Sequence, residues 1–285
     1  GKVSTFAPNA TIVHVDIDPS EIGKNVEVDV PIVGDTKLVL LSLLEEEPEE
    51  RDLNAFHAAA GEWMTHIREL QSKHQHRQQY LNRPDTSSML PHDVYAAMTA
   101  MLNARGNYRV VTDVGQHQMW AAQLLDWYRP RTHITSGGAG TMGFAVPAAM
   151  GVAVAHPEDT VWAVCGDGGF QMTNQEMAVV MQEGIKNIKV AIINNGYLGM
   201  VRQWQELFEN KRYSGTPLSG PNFQKLAEAY GWTGITVETV DEIEPALAKA
   251  YATDGPVLID FRVEREVNVF PMVPQNKSIG EMITE

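Results

Sequence analysis

Cysteine is almost absent from this 285-residue sequence, in which Cys165 is the only one. A single thiol excludes an internal disulfide framework and a cysteine-rich zinc site, and it is typical of a reducing compartment. Because Cys165 ends a short apolar run, we expect a small core residue there rather than a nucleophile. A cytoplasmic protein is predicted, or a plastid or mitochondrial one if the source is eukaryotic.

Basic residues and long apolar runs are also scarce. Lys and Arg number 22 against 36 Asp and Glu, which gives a formal net charge of −14. An acidic chain without a basic stripe argues against a nucleic-acid partner. No run reaches the roughly 18 apolar residues of a membrane span. The 44% hydrophobic content suffices for the cores of about two domains, so we expect a globular protein without a membrane partner.

The most informative stretch is residues 161–195. Residues 160–165 and 188–193 are short apolar runs, and between them the apolar positions of residues 174–183 recur at helical spacing. This pattern predicts a strand, a helix and a second, parallel strand, whose carboxyl ends meet at one edge of a sheet.

Strands and helices alternate along the rest of the sequence, which predicts an α/β fold with a doubly wound, mostly parallel sheet. Helix 36–44 is expected to turn Leu38, Leu41 and Leu44 inward. The opening residues resemble a loop, so the chain is expected to begin inside a domain. The predicted segments are part of one α/β domain (1–45), a linker containing a helix (46–90, with a charge run at 45–52 and a break at 84–88), and a second domain (91–285).

Polar residues end both central strands. Asp167 follows the first and Asn194 the second. A carboxylate, an amide oxygen and a free carbonyl near Gly196 are hard ligands that suit Mg²⁺ when a diphosphate completes its shell. Gly168 and Gly169 leave backbone N–H groups free to face an anion. Taken singly, however, such a motif is more often an ordinary tight turn.

Together, Gly-Asp-Gly at 166–168 and Asn-Asn at 194–195 resemble the cofactor motif of thiamine-diphosphate-dependent decarboxylases and ligases. Longer stretches are similar to one branch of that family, the acetolactate synthase (acetohydroxyacid synthase) catalytic subunits. They are GQHQMWAAQ at 115–123, GGAGTMGFAVPAAMG at 137–151, NNGYLGMVRQWQ at 194–205 and VFPMVP at 269–274. The chain resembles the second half of such a subunit: the later part of a flavin-binding middle domain, then the diphosphate-binding domain.

The resemblance implies three cofactors: thiamine diphosphate, Mg²⁺ and a structural FAD. The implied Mg²⁺ ligands are Asp167, Asn194 and the carbonyl of Gly196. The implied thiamine-diphosphate contacts are Gly115, Gln116, His117, Gly140, Met142, Gly168, Gly169, Asn194, Gly196, Leu198 and Met200. The implied FAD contacts are Asp16, Ile17, Asp35, Thr36, Gly137 and Gly138.

Three side chains are implied to act at the reacting centre: Met142 beneath the bent cofactor, and Met200 and Trp204 in the substrate channel. Two of them also have an ordinary interpretation, Met142 as core filler and Trp204 as a partly buried surface residue. The implied activity joins two pyruvates, or pyruvate and 2-ketobutyrate, with loss of CO2, in branched-chain amino-acid biosynthesis. The implied partners are 2-keto acids, further subunits in a dimer or tetramer with active sites at the interfaces, and a regulatory small subunit.

The glutamate that such enzymes use on the cofactor pyrimidine has no counterpart in this sequence. The chain by itself is therefore expected to be inactive, and we assign no general base. Two alternatives stay open: another thiamine-diphosphate carboligase or oxidase, such as glyoxylate carboligase or pyruvate oxidase, and a non-catalytic cofactor-binding fragment. Trp204 within MVRQWQ favours the synthase over the former.

Overall fold

The computed structural model describes residues 1–46, 50–73 and 87–284. They form two compact units, one made of the first two ranges with residues 270–284, and one made of residues 87–269. The predicted boundary at residue 91 lies near this division, but the last segment groups with the first unit instead, where Lys2 N–H donates to the Lys277 carbonyl (2.9 Å). Residues 47–49 and 74–86 of the predicted linker, which include part of the predicted break at 84–88, lie outside the described residues.

The smaller unit contains a two-stranded parallel sheet. Strand β1 (Val13–Asp16) pairs with β2 (Val30–Val33), and helices α1 (Thr36–Glu45) and α2 (Glu50–Lys73) follow. Helix α1 starts after Asp35 because the carboxylate of that residue accepts a hydrogen bond from the backbone N–H of Leu38 (3.0 Å), as an N-cap does. The predicted helix starting at residue 36 is confirmed.

The expectation that α1 turns its leucines inward is wrong. Leu38, Leu41 and Leu44 are 62%, 47% and 81% exposed, and no residue of α1 is buried. A two-stranded sheet offers too small an apolar face to cover a helix of this length.

The larger unit is built on a parallel sheet of six described strands in the order β4-β3-β5-β6-β8-β7. The strands are β3 (Tyr108–Thr112), β4 (His133–Thr135), β5 (Thr160–Gly166), β6 (Ile188–Asn194), β7 (Thr233–Val237) and β8 (Val257–Arg262). The described helices are α3 (Pro91–Arg105), α4 (Gln116–Leu124), α5 (Ala145–Ala155), α6 (Asp167–Thr173), α7 (Met177–Gln182), α8 (Gly199–Phe208), α9 (Phe223–Ala229) and α10 (Ile243–Ala252).

Apolar cores cover both faces of this sheet. Trp162 and Val164 of β5 pack with residues of α3, α4 and α10 on one face. Val161 and Ala163, which alternate with them, pack with residues of α5, α6, α7 and α9 on the other. A sheet covered by helices on both faces explains why β5 and β6 are nearly continuous apolar runs. The predicted doubly wound α/β fold is confirmed, and none of the described helices combines the length and apolar content that a membrane crossing requires.

The structure contains local features that the sequence pattern did not predict. Helix α4 begins at Gln116, and strand β4 begins at His133. The central helix was expected over residues 174–183, whereas helix already begins at Asp167 in α6 and continues through a short 3-10 turn, Asn174–Glu176, into α7. The glycines at 168 and 169 concealed this early start because glycine has a low helix propensity.

A buried carboxylate joins the loops at the top of the sheet. Asp113, directly after β3, accepts hydrogen bonds from the backbone N–H groups of Val114 (2.7 Å), Gly143 (2.9 Å) and Ala145 (3.2 Å). A Cβ at Gly169 would lie 2.6 Å from the Asp113 Oδ1 atom, so only glycine allows this approach. Asp113 therefore holds three segments of the larger unit together.

Replacing Asp113 by Ala should destabilise this unit strongly. The change leaves three backbone N–H groups without their carboxylate acceptor, and we expect a loss of about 3 kcal/mol in the free energy of unfolding. Urea denaturation followed by tryptophan fluorescence measures it. Asp254→Ala is the matched control, because the Asp254 ion pair with Lys186 is exposed on both sides and such pairs contribute little. Equal midpoints for the two variants would contradict this role of Asp113.

Candidate functional site

The loops after β3, β5 and β6 meet at the carboxyl edge of the large sheet. Strand β4 lies beside β3 on one side, and β5 lies beside it on the other. The order in which strands are added across the sheet therefore reverses between β3 and β5. Ligands of open α/β sheets bind at such switch points. A cleft lies here, lined by Val114, Gly115, Gln116, His117, Trp120, Met142, Gly166, Asp167, Gly168, Gly169, Ile193, Asn195, Tyr197, Leu198 and Gly199.

Glycines allow the loops around the cleft to approach one another closely. A Cβ at Gly168 would lie 2.8 Å from Leu198 Cδ2, and one at Gly166 would lie 3.0 Å from His117 Nδ1. Both distances are shorter than ordinary van der Waals contact, so any larger residue would push the loops apart. The Gly-Asp-Gly sequence is thus required by packing as well as suited to ligand binding.

Asp167 is the most strongly perturbed acid in the cleft. Its side chain is buried, and its Oδ2 atom has no hydrogen-bond partner. Burial raises the pKa of Asp167 to about 7, although the backbone N–H groups of Asp167, Gly168 and Gly196 lower the pKa in part. A buried carboxylate oxygen without a donor is well suited to bind a cation.

The other two predicted cation ligands, Asn194 and Gly196, do not line the cleft. The Asn194 amide donates to Asp260 Oδ1 (2.8 Å) and accepts from Gly196 N–H (3.3 Å), and the Gly196 carbonyl accepts from Leu218 N–H (2.9 Å). The neighbouring Asn195 is buried and lines the cleft with Asp167. Side chains alternate along a strand, so only one amide of the pair can face the site.

His117 is buried beside Asp167, and its Nε2 atom has no hydrogen-bond partner. Burial lowers the pKa of His117 to about 4, against the opposing effect of the Asp113 carboxylate. The imidazole is therefore neutral at physiological pH. The Tyr95 hydroxyl donates to the His117 carbonyl (2.7 Å), which fixes the first turn of α4 at the edge of the cleft.

The side chain of Gln116 is bonded to the protein. Its Nε2 donates to Gln203 Oε1 (2.9 Å) and to the Val267 carbonyl (3.0 Å), and its Oε1 accepts from Asn195 Nδ2 (3.1 Å). Only the backbone N–H of Gln116 therefore remains for contact with a bound anion, which restricts the predicted role of this residue.

Other predicted cofactor contacts lie in the cleft or beside it. Met142 and Leu198 line it, and the Met142 Cε atom is 3.9 Å from the Cβ position of Gly168. Gly140 does not line the cleft, but its Cβ position is 3.9 Å from Val114, which does.

Met200 and Trp204, the predicted channel residues, lie on α8 outside the lining of the cleft. Met200 is partly buried against the core. Trp204 is 37% exposed and its ring is 5.0 Å from that of Phe208. The channel role of both residues stays a prediction.

The predicted flavin contacts fall in both units. In the smaller unit, the pairing of Asp16 with Val33 places Asp16 and Ile17 at the same sheet edge as Asp35 and Thr36. The Asp16 carboxylate accepts from Asp18 N–H (2.8 Å), and that of Asp35 caps α1. In the larger unit, the predicted contacts lie in the exposed loop after β4; they are Gly137 and Gly138.

Sequence reasoning missed several residues of the cleft. Trp120 and Tyr197 line it, and the Trp120 indole N–H is buried without a hydrogen-bond partner. Asn195 belongs to the Asn-Asn pair, and one signal could have distinguished it from Asn194. Asp260 is an acid inside the apolar run of β8, so it requires a polar partner on its own face of the sheet. Asn194 is that partner, which leaves Asn195 for the cleft.

Two family models match the chain. The thiamine pyrophosphate enzyme C-terminal TPP binding domain matches residues 113–261, and the central domain of the same enzymes matches residues 1–43. The first match covers all the residues that line the cleft.

Similar proteins include the acetolactate synthase of Mycobacterium leprae and the acetolactate synthase large subunit of Corynebacterium glutamicum, each 44% identical over 99% of this chain and 45% of the relative. The acetolactate synthase large subunit of Porphyra purpurea is 42% identical over 99% of this chain and 46% of its own length. The chain thus spans about half the length of these relatives. Because the C-terminal TPP binding domain model matches more than half of the residues, the chain belongs to the thiamine pyrophosphate enzyme family.

Proposed function

We propose that this chain is part of an acetolactate synthase catalytic subunit. The reaction condenses two pyruvates, or pyruvate and 2-ketobutyrate, with loss of CO2, to give 2-acetolactate or 2-aceto-2-hydroxybutyrate for branched-chain amino-acid biosynthesis. The observation that supports it most is the similarity to acetolactate synthases over 99% of the chain. The proposed setting is a homodimer or homotetramer, with a regulatory small subunit, in the cytoplasm or an organelle.

The residues of the cleft fit Mg²⁺ and thiamine diphosphate. Asp167 offers a buried oxygen without a partner, and Asn195 adds a second hard ligand beside it, with the backbone at Tyr197. Mg²⁺ accepts one or two protein side chains when phosphate oxygens complete its octahedron. Bound thiamine diphosphate would supply the nucleophilic carbon that attacks a keto group and would delocalise the electrons left by departing CO2.

The chain's own contribution is binding and orientation. The backbone N–H groups at Gly115 and Gln116, at the start of α4, would face the diphosphate, and the neutral His117 would contact it without adding charge. Met142, close to Gly168 and Leu198, would hold the cofactor in its bent form. FAD would bind as a structural cofactor through Asp16, Ile17, Asp35, Thr36, Gly137 and Gly138. A glutamate from outside this chain would complete the site.

Asp167→Ala should abolish Mg²⁺-dependent binding of thiamine diphosphate. It removes the one cleft carboxylate with an unpartnered oxygen, and loss of a first ligand exceeds the 10–100-fold typical of outer-shell changes. Calorimetric titration of the complete polypeptide, with Asp254→Ala as the charge-matched surface control, measures this. Undiminished affinity in Asp167→Ala would overturn the proposed cation site.

The His117 imidazole should stay neutral at pH values well below the usual pKa of histidine. The unfolded chain binds a proton at this imidazole near pH 6.5 but the folded chain only near pH 4, so folded-state stability should fall as the pH drops through this window. The contribution is about 3 kcal/mol at most. Comparing the pH dependence of urea unfolding of the wild type with that of His117→Gln measures it. Identical profiles would contradict the depressed pKa.

Trp204→Leu should reduce the preference for 2-ketobutyrate over pyruvate as acceptor. A large flat indole can contact the additional methyl group of 2-ketobutyrate, and one methylene in an apolar pocket changes discrimination by about 10–200-fold. Competition between both keto acids in the complete enzyme gives the product ratio. The neighbouring Phe208→Leu is the control, since its ring packs against Trp204. An unchanged ratio in Trp204→Leu would mean that Trp204 is only a packing residue.

A further inference from the structure

Three buried side-chain amides form a continuous hydrogen-bonded chain behind the cleft. Asn195 Nδ2 donates to Gln116 Oε1 (3.1 Å), and Gln116 Nε2 donates to Gln203 Oε1 (2.9 Å). All three residues are at most 7% exposed. They come from the loop after β6, the start of α4 and the middle of α8, so this amide chain joins three elements around the site.

One end of the amide chain is anchored to the backbone. Gln203 Oε1 accepts from Val269 N–H (2.9 Å), and Gln203 Nε2 donates to the Val269 carbonyl (2.9 Å). A backbone N–H can only donate and a carbonyl can only accept. The amide of Gln203 therefore has a single orientation, which needs no assumption about which atom is nitrogen and which is oxygen.

The orientation of the Gln203 amide constrains that of Gln116 and, through Gln116, that of Asn195. Gln203 directs its oxygen at Gln116, so Gln116 must direct its nitrogen at Gln203. The Val267 carbonyl also accepts from Gln116 Nε2 and requires the same orientation of this amide. The oxygen of Gln116 then faces Asn195, which must present its own nitrogen. The atom of Asn195 that remains is Oδ1, which also accepts from Tyr197 N–H (3.1 Å).

We propose that Gln203 is a positioning residue for the cation site: through Gln116, and together with Tyr197 N–H, it holds Asn195 so that an oxygen, and not an NH2 group, faces Mg²⁺. This rests on the proposed function, in which Asn195 is a Mg²⁺ ligand. A reversed amide would direct N–H donors at the cation, and a side-chain NH2 has no electron pair suited to a hard metal.

Gly199 supplies an independent observation. A Cβ at this position would collide with Gln116 Oε1 and lie 2.8 Å from Asn195 Nδ2. The absence of a side chain at residue 199 is therefore what leaves room for the Gln116–Asn195 hydrogen bond at the first turn of α8.

The test compares Gln203→Met with Gln205→Met in the complete polypeptide. Gln205 lies on the same helix and makes the same pair of bonds to a backbone, with Ser214 (2.9 and 3.1 Å), but it has no link to Asn195. Calorimetry measures the Mg²⁺ affinity in the presence of thiamine diphosphate. We expect Gln203→Met to weaken it by about 10–100-fold, as for other outer-shell partners of metal ligands, and Gln205→Met to leave it unchanged.

A double-mutant cycle separates orientation from packing. Asn195→Asp has two oxygens and no amide to orient, so Gln203→Met should have little effect on Mg²⁺ affinity in that background. An equal loss in both backgrounds, or equal losses from Gln203→Met and Gln205→Met, would overturn the proposal. If Gln203→Met does not fold, Gly199→Ala disturbs the Gln116–Asn195 bond instead, and the same weakening is expected. Retained Mg²⁺ affinity in Asp167→Ala would instead reject the proposed function itself.

Discussion

The parallel pairing of β5 with β3 on one side and β6 on the other is the constraint on which the rest of the larger unit depends. Thr112 lies opposite Val164, and Gly166 lies opposite Ile193, so the three strands end nearly together. The loops that follow must share one edge, and the apolar cores on both faces prevent them from turning away. The cleft is therefore a consequence of strand register.

The closely packed edge leaves polar atoms that the protein itself does not satisfy. Asp167 Oδ2 and His117 Nε2 are both buried without hydrogen-bond partners. Burial raises the pKa of the acid and lowers that of the base, so both shifts favour uncharged forms. In the proposed function, Mg²⁺ would fill the missing contact of Asp167 Oδ2, and the diphosphate would balance the charge of the metal.

The two units differ in how far they bury their apolar residues. Strand β5 is buried on both faces, whereas α1 carries leucines that remain largely exposed. The local signals of α1 are nonetheless strong, with an Asp35 cap and a run of good helix formers. A helix can thus be specified by its own sequence even where the described residues supply little surface for it to pack against.

Local signals in the sequence suffice to predict the strand–helix–strand unit and the doubly wound class, because hydrophobic periodicity is read from neighbouring residues. They could not determine which amide of Asn194 and Asn195 faces the cleft, nor that the Gln116 side chain is committed to Gln203. Those outcomes depend on Asp260, 66 residues from Asn194, and on Val269, 66 residues from Gln203. Only the tertiary structure decided them, since a buried amide takes its orientation from the donors and acceptors that folding brings beside it.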